Sequence, residues 1–328
     1  MITRNDSWKH LLASAIRDPE RLLQALHLPL HLLPAAREAA THFPLRVPHG
    51  YVARMQHGDL NDPLLRQVLP LADESLPVAG YHTDPVGDAA ASAGHGLLQK
   101  YHGRALLMTT GACAIHCRYC FRRHYPYSEQ QIAHHQWQSL LDTLRADSSL
   151  SEVILSGGDP LLLDDERLAA LVTELAAIPH LQRLRIHTRL PVVLPERIDA
   201  ALLSWISRSR LQPVMVIHAN HVNELDAGVA AALARLYEAG VTLLNQAVLL
   251  RGVNDSVAAQ CALSESLFQL RVVPYYLHLL DRVAGAAHFD LPEATASSLI
   301  AGMRQQLPGY LMPRPVRELA GAPWKVPV

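Results

Sequence analysis

From about residue 104 onward, short apolar runs alternate with amphipathic stretches. The runs Ala105–Thr110, Glu152–Ser156, Arg183–Thr188, Pro213–His218, Val241–Leu249 and Arg271–Leu277 read as strands. Between them, Asp164–Ile178, Pro195–Ser207, Glu224–Ala239 and Ala258–Gln269 carry apolar residues at helical spacing. Strands that are continuously apolar, with a helix between each pair, predict a parallel sheet covered on its outer face. The first ninety-odd residues differ. Trp8, Leu11, Leu12, Ile16 and the stretch Leu22 to Leu28 recur at helical spacing, and prolines at 29, 34, 44, 48, 63 and 70 divide the rest of this region into short pieces.

A doubly wound sheet and an open barrel both satisfy this pattern, and the polar residues choose between them. They stand at the ends of successive strands: the cysteine cluster after the first, and Ser156-Gly157-Gly158-Asp159-Pro160 after the second. His187-Thr188-Arg189 follows the third and His218-Ala219-Asn220-His221 the fourth. The fifth carries Asn245-Gln246, and His278 and Asp281 follow the sixth. Polar groups supplied from every strand end converge only if the sheet curls around one axis, whereas a flat sheet gathers them at one crevice. The expectation is a partial (β/α)6 barrel over residues 96–290, with a helical region at 1–95 before it and a segment at 291–328 after it.

With 49% hydrophobic and 18% charged residues in 328, a large core is within reach and a disordered chain is excluded. A net charge of −1 provides no basic field for nucleic acid. Met1 to His10 is polar, no apolar run is long enough to cross a bilayer, and the expected location is cytoplasmic. Of 29 basic residues only three are lysines, Lys9, Lys100 and Lys325, so chemistry that needs a lysine amine has few places to reside. Of four cysteines, Cys113, Cys117 and Cys120 fall within eight residues, while Cys261 stands alone in an alanine-rich helical stretch as a small buried hydrophobe.

Three thiolates on one short loop, spaced Cys-x3-Cys-x2-Cys, suit an iron–sulfur cluster with one iron left open to an external ligand. Zinc is the alternative, since His116 or His124 would complete a tetrahedron, although structural zinc usually draws on two separated ligand pairs. The Gly-Gly-Asp turn of the next strand offers backbone amides and a carboxylate for a small zwitterionic ligand.

Cys113-x3-Cys117-x2-Cys120 is the signature of radical S-adenosylmethionine enzymes, and Gly157-Gly158-Asp159 resembles their second-strand motif. The strings Cys117-Arg-Tyr-Cys-Phe-Arg-Arg123, Ser156-Gly-Gly-Asp-Pro-Leu161 and Asn245-Gln-x-Val-Leu-Leu-Arg-Gly-Val-Asn-Asp255 together resemble the lysine 2,3-aminomutases over roughly residues 96–328. Upstream, Phe43-Pro-Leu-Arg-Val-Pro48 and Asn61-Asp-Pro-Leu-Leu-Arg-Gln-Val68 are similar to the short branch that makes (R)-β-lysine for modification of elongation factor P. The resemblance implies a 4Fe-4S cluster on the three cysteines and S-adenosyl-L-methionine near Ser156, Gly157, Gly158, Asp159, His218 and Gln246. It also implies pyridoxal 5′-phosphate bound covalently through a lysine. Lys325, in a glycine- and proline-containing C-terminal segment, matches that lysine, and Lys100, Tyr101 and Arg104 match positions near the cofactor phosphate. Arg122 matches the partner of the substrate carboxylate, and Asp281 and Glu318 match the two acidic residues around the distal ammonium of free L-lysine.

The same resemblance implies an external electron donor such as a flavodoxin or ferredoxin; with nineteen histidines in the chain, composition alone gives no role to His116, His124, His134 or His135. The long members carry a zinc site that uses a cysteine after Asn-Asp; here Ser256 follows Asp255, so that site is expected to be missing. Two other readings stay open at this point. One is an aminomutase for a different amino acid, against which two acidic residues around the ammonium argue if the substrate is glutamate. The other is a non-catalytic iron–sulfur or zinc protein that binds a partner.

Overall fold

The computed structural model describes residues 7–92, 96–127 and 137–328. Six parallel strands lie where the apolar runs predicted them: β2 (Arg104–Thr110), β3 (Glu152–Gly157), β4 (Arg183–Thr188), β5 (Gln212–Ile217), β6 (Thr242–Leu249) and β7 (Val273–Leu279). Their spatial order follows the chain order without reversal. Every crossover therefore steps the same way, which wraps the sheet into an open barrel in place of a flat sheet with a switch point.

The sheet is wider than six strands. A two-residue strand, β1 (Leu97–Leu98), pairs antiparallel with β2, and at the far edge β8 (Arg314–Arg317) extends the parallel set beside β7. β9 (Val326–Pro327) then returns antiparallel on β8. The segment expected to follow the barrel thus forms its last wall. Arg-Pro-Val-Arg has no apolar run to announce a strand, and its proline sits opposite Leu277 near the sheet edge.

Burial alternates along β4 and β6. Leu184, Ile186 and Thr188, like Leu243, Asn245, Ala247 and Leu249, are buried beneath the helical layer. Arg185, His187, Gln246 and Val248 point the other way and line a cavity. The barrel interior is hollow and carries polar side chains among apolar ones, and the shell outside it holds the continuous apolar core. That shell is continuous: one cluster of buried side chains runs from Trp8 and Leu22 through Leu107, Leu155, Ile186 and Ile217 to Leu311.

Three of the helices start at side-chain caps. Asp199, Asp226 and Ser256 each accept the N–H three residues on, from Leu202, Val229 and Ala259. The first of these caps shortens a predicted helix: Pro195–Arg197 is a separate 3-10 turn, and the helix proper is Ala200–Arg208. Cys261 is buried in the helix Val257–Gln269, as its setting suggested. Among the described residues no helix is long and apolar enough to cross a membrane.

Candidate active site

A cavity of about 840 Å³ fills the barrel interior. Every site residue expected from the sequence lines it: the three cysteines, Ser156 to Asp159, Lys100, Tyr101, Arg104, Arg122, His218, Gln246, Asp281, Glu318 and Lys325. His134 and His135 lie outside the described residues.

The cysteine loop leaves the end of β2. Burial pushes the Cys120 thiol up to about 11, with the neighbouring Cys117 adding to it, and burial followed by Cys120 raises Cys113 further. Two thiols whose ionisation burial opposes become thiolates most readily on binding a cationic centre. Among the described residues no three His, Cys, Asp or Glu side chains are placed to share a single metal ion. An iron–sulfur cube takes each thiolate on a different iron, and three cysteines on one loop match that donor set. Of the two histidines considered for zinc, His116 Nδ1 is 2.8 Å from Pro44 O and His124 Nε2 is 3.0 Å from Ala284 O, which leaves the other ring nitrogen of each unassigned by these bonds.

The Gly-Gly-Asp turn corrects an expectation. Its amides are not free for a ligand, because Gly158 N donates to Thr110 O and Asp159 N to Ala112 O, both at 2.7 Å. The Asp159 carboxylate is also engaged inside the protein, accepting from Thr188 Oγ1, Arg189 N, Leu190 N and Leu161 N. Gly157 holds φ +127°, and a Cβ on Gly158 would collide with the Ala112 carbonyl. The motif lets β3 press against the cysteine loop and fastens the start of the segment after β4.

At the other end of the cavity lies a chain of alternating charges. Asp88, which belongs to no motif in the sequence, is 1% exposed and joins two cations: Arg122 Nε at 2.7 Å and Lys100 Nζ at 2.5 Å. Arg122 also donates to Ser156 Oγ at 3.1 Å. Lys100 continues to Glu318 Oε1 at 3.1 Å, and Glu318 Oε2 takes Lys325 Nζ. Lys100 is therefore held among carboxylates, and Glu318 faces inward, away from Arg317, which pairs with Glu293. Burial alone would raise Glu318, yet Lys325 and then Lys100 hold its carboxyl at about 2. Asp281 is the opposite case. Burial, and next to it the charge of Glu318, push it up to about 7, and its Oδ1 has no partner. It is a carboxylate waiting for a cation.

Lys325 sits with its ammonium 5.8 Å from the Tyr276 ring centre. Arg104 lies over the Tyr101 ring at 5.7 Å and is half exposed at the cavity mouth. Lys9, by contrast, pairs with Asp164 on the outside.

Between the two ends the walls carry polar atoms with nothing in the protein to bond. His187 Nε2, His218 Nε2, Gln246 Oε1 and His278 Nε2 are buried and unpartnered, like Asp281 Oδ1. An unsatisfied buried polar group costs on the order of 1–3 kcal/mol, so several around one cavity mark the seat of a polar ligand. Burial, then nearby cations, keep His218 at about 4, and burial lowers His187 and His278 further; all three are neutral near pH 7. His187 and His278 point inward only because of strand parity, which the sequence alone left unsettled.

An open parallel barrel with a three-cysteine loop after its first long strand defines a radical S-adenosylmethionine protein, and the family model "Radical SAM superfamily" matches residues 107–208. Such enzymes carry a 4Fe-4S cluster and use S-adenosylmethionine, and the loop and the unpartnered wall atoms fit both. The chain is 47% identical over 324 residues to the L-lysine 2,3-aminomutase of Escherichia coli (strain K12), which covers 98% of this chain and 94% of that protein. It is 46% identical over 325 residues to the Haemophilus influenzae protein of the same name, covering 99% and 96%. To the Clostridium subterminale L-lysine 2,3-aminomutase it is 33% identical, covering 98% and 78%. This chain belongs to the L-lysine 2,3-aminomutase family.

Proposed function

We propose that this protein is an isomerase that moves the amino group of free L-lysine from C2 to C3, giving (R)-β-lysine, with pyridoxal phosphate as second cofactor. The observation that supports this most is the charge order of the cavity. It runs from three cysteines, past neutral imidazoles and Arg122, to two carboxylates and a lysine amine. A diamino acid matches that order, with its carboxylate toward Arg122 and its distal ammonium between Asp281 and Glu318. Two carboxylates around one ammonium give charge-assisted bonds and reject neutral or acidic side chains.

The chain's own residues then have distinct tasks. Asp88 and Ser156 aim Arg122. Glu318 stores the Lys325 amine as an ammonium until it is engaged elsewhere. Tyr101 and Arg104 would hold the phosphate of the cofactor from the cavity mouth, with the Lys100 ammonium behind them. When bound, the cluster with S-adenosylmethionine would supply radical chemistry, and pyridoxal phosphate, held through Lys325, would supply an electron-accepting ring for the substrate amine. The reductant in this reading is a flavodoxin or ferredoxin, the setting is cytoplasmic, and the product serves elongation factor P modification.

The test is anaerobic. Protein reconstituted with iron and sulfide is incubated with pyridoxal phosphate, S-adenosylmethionine, dithionite and L-lysine, and products are separated on a chiral column. Appearance of (R)-β-lysine supports the reading. Release of methionine without any β-lysine, or equal turnover of L-glutamate, would overturn the substrate assignment.

A further inference from the structure

Gly157-Gly158-Asp159 was expected to touch a ligand, yet its carboxylate is turned toward Arg189. Arg189 is 6% exposed and stands just past β4. Its backbone N–H is bonded to Asp159 Oδ2 at 2.8 Å. Its guanidinium reaches across to the cysteine loop, where Nη1 donates to Cys117 Sγ at 2.6 Å. The other nitrogen is clamped: Nη2 donates to Glu224 Oε2 at 2.9 Å, Gln67 Oε1 at 2.6 Å and Tyr51 OH at 3.2 Å. Those partners are themselves fixed. Glu224 Oε1 accepts from Asn220 N, His221 N and Gln67 Nε2, and both Glu224 and Gln67 are fully buried.

A surface arginine chooses its partner by rotamer. This one is locked from both ends, and the free end of the lock is a cysteine sulfur. A planar cation held against a sulfur withdraws electron density from the iron bound there and favours the more negative, reduced state of a cluster. Desolvation makes the field of that cation count for more than it would in water.

We propose that Arg189 is a positioning residue for the cluster: through its bond to Cys117 it raises the cluster's reduction potential and holds the Cys117 loop in ligating position. This rests on the assignment of the cluster to Cys113, Cys117 and Cys120. It also gives Asp159 a purpose, since Asp159 sets the backbone from which Arg189 extends. A purely structural role is the competing view, in which Arg189 is only the buried partner of Glu224. That role predicts lower stability with an unchanged potential.

The experiment is a dithionite titration of the reconstituted holoprotein without S-adenosylmethionine, followed by electron paramagnetic resonance, with iron content and thermal unfolding measured on the same samples. Arg189→Gln is expected to keep its iron and lower the potential. At the wild-type midpoint its ratio of reduced to oxidised cluster should fall about tenfold, equivalent to ~59 mV for one electron. Arg189→Lys keeps the charge but loses the rigid fork, so it should shift in the same direction by less. An intact cluster with the wild-type potential in Arg189→Gln overturns the proposal. If that variant takes up no iron, Arg189→Lys decides, and an unshifted potential there overturns it as well. Loss of iron from both variants together with a collapsed melting transition assigns Arg189 to the fold and also overturns it. Wild-type protein without iron would overturn the cluster assignment itself.

Discussion

Asp281 makes the substrate assignment quantitative. In the ligand-free protein its Oδ1 is buried and unpartnered, and desolvation with the nearby Glu318 charge places its proton at about pH 7. An ammonium binds the carboxylate and not the acid, so lysine binding must expel that proton. Above pH 7 the carboxylate is ready and KM is flat. Below pH 7 each unit costs about tenfold in apparent affinity, while the lysine ammonium, with a pKa near ~10.4, stays charged throughout. At pH 7 itself the penalty is only about twofold.

Asp281→Asn removes the charge and keeps the shape. Deleting one partner of a desolvated charge pair typically costs on the order of 2–5 kcal/mol, or roughly thirty- to several-thousand-fold in binding. KM for L-lysine at pH 8 should rise accordingly, and its dependence on pH between 6 and 7 should vanish. The same burial acts on stability with the opposite sign from an ordinary ion-paired carboxylate. Its folded pKa is raised, so the unfolded chain loses this proton first, from about pH 4 upward. Ligand-free wild-type protein should therefore lose stability as pH climbs from there toward 7, and the variant should not. Chromatographic quantification of β-lysine across pH 6–8, with melting curves alongside, checks both. An Asp281→Asn enzyme with KM within about threefold of wild type at pH 8, or with the wild-type pH slope, would refute the assignment.

Lys325→Ala should lose the visible absorbance of pyridoxal phosphate while keeping its iron, and borohydride reduction of the wild type should place the pyridoxyl group on the peptide containing Lys325. Finding it on Lys100 would reassign the cofactor lysine. Replacing Cys113, Cys117 and Cys120 together by alanine should abolish iron binding and S-adenosylmethionine cleavage; about four irons per chain in that variant would sink the cluster assignment. Gly158→Ala drives a methyl group into the Ala112 carbonyl, so denaturant unfolding should show a loss of about 3 kcal/mol, at the upper end for a core substitution. Unfolding at the wild-type midpoint would mean that the cysteine loop gives way freely.

The six parallel strands were legible because each is a local, continuous apolar run, and the barrel was legible because polar residues recur at every strand end. The three cysteines stood out by spacing, and the resemblance singled out Lys325, one of only three lysines in the chain. Tertiary structure decided the rest. Arg314–Arg317 is a strand only because β7 offers it an open edge; nothing apolar in its own residues demands it. His187 and His278 turn inward by strand parity, and a shift of one residue would have faced them outward. Asp88 lies in a stretch with no periodicity, and its importance comes from two cations brought to it from elsewhere in the chain. Asp159 looked like a ligand-binding carboxylate by motif, yet the pairing of β3 with β4 puts Thr188 and Arg189 within its reach. Local pattern determines which backbone groups pair and which faces turn inward as a set. The partner that each buried charge takes is a long-range choice, made only when distant segments close around the same dry space.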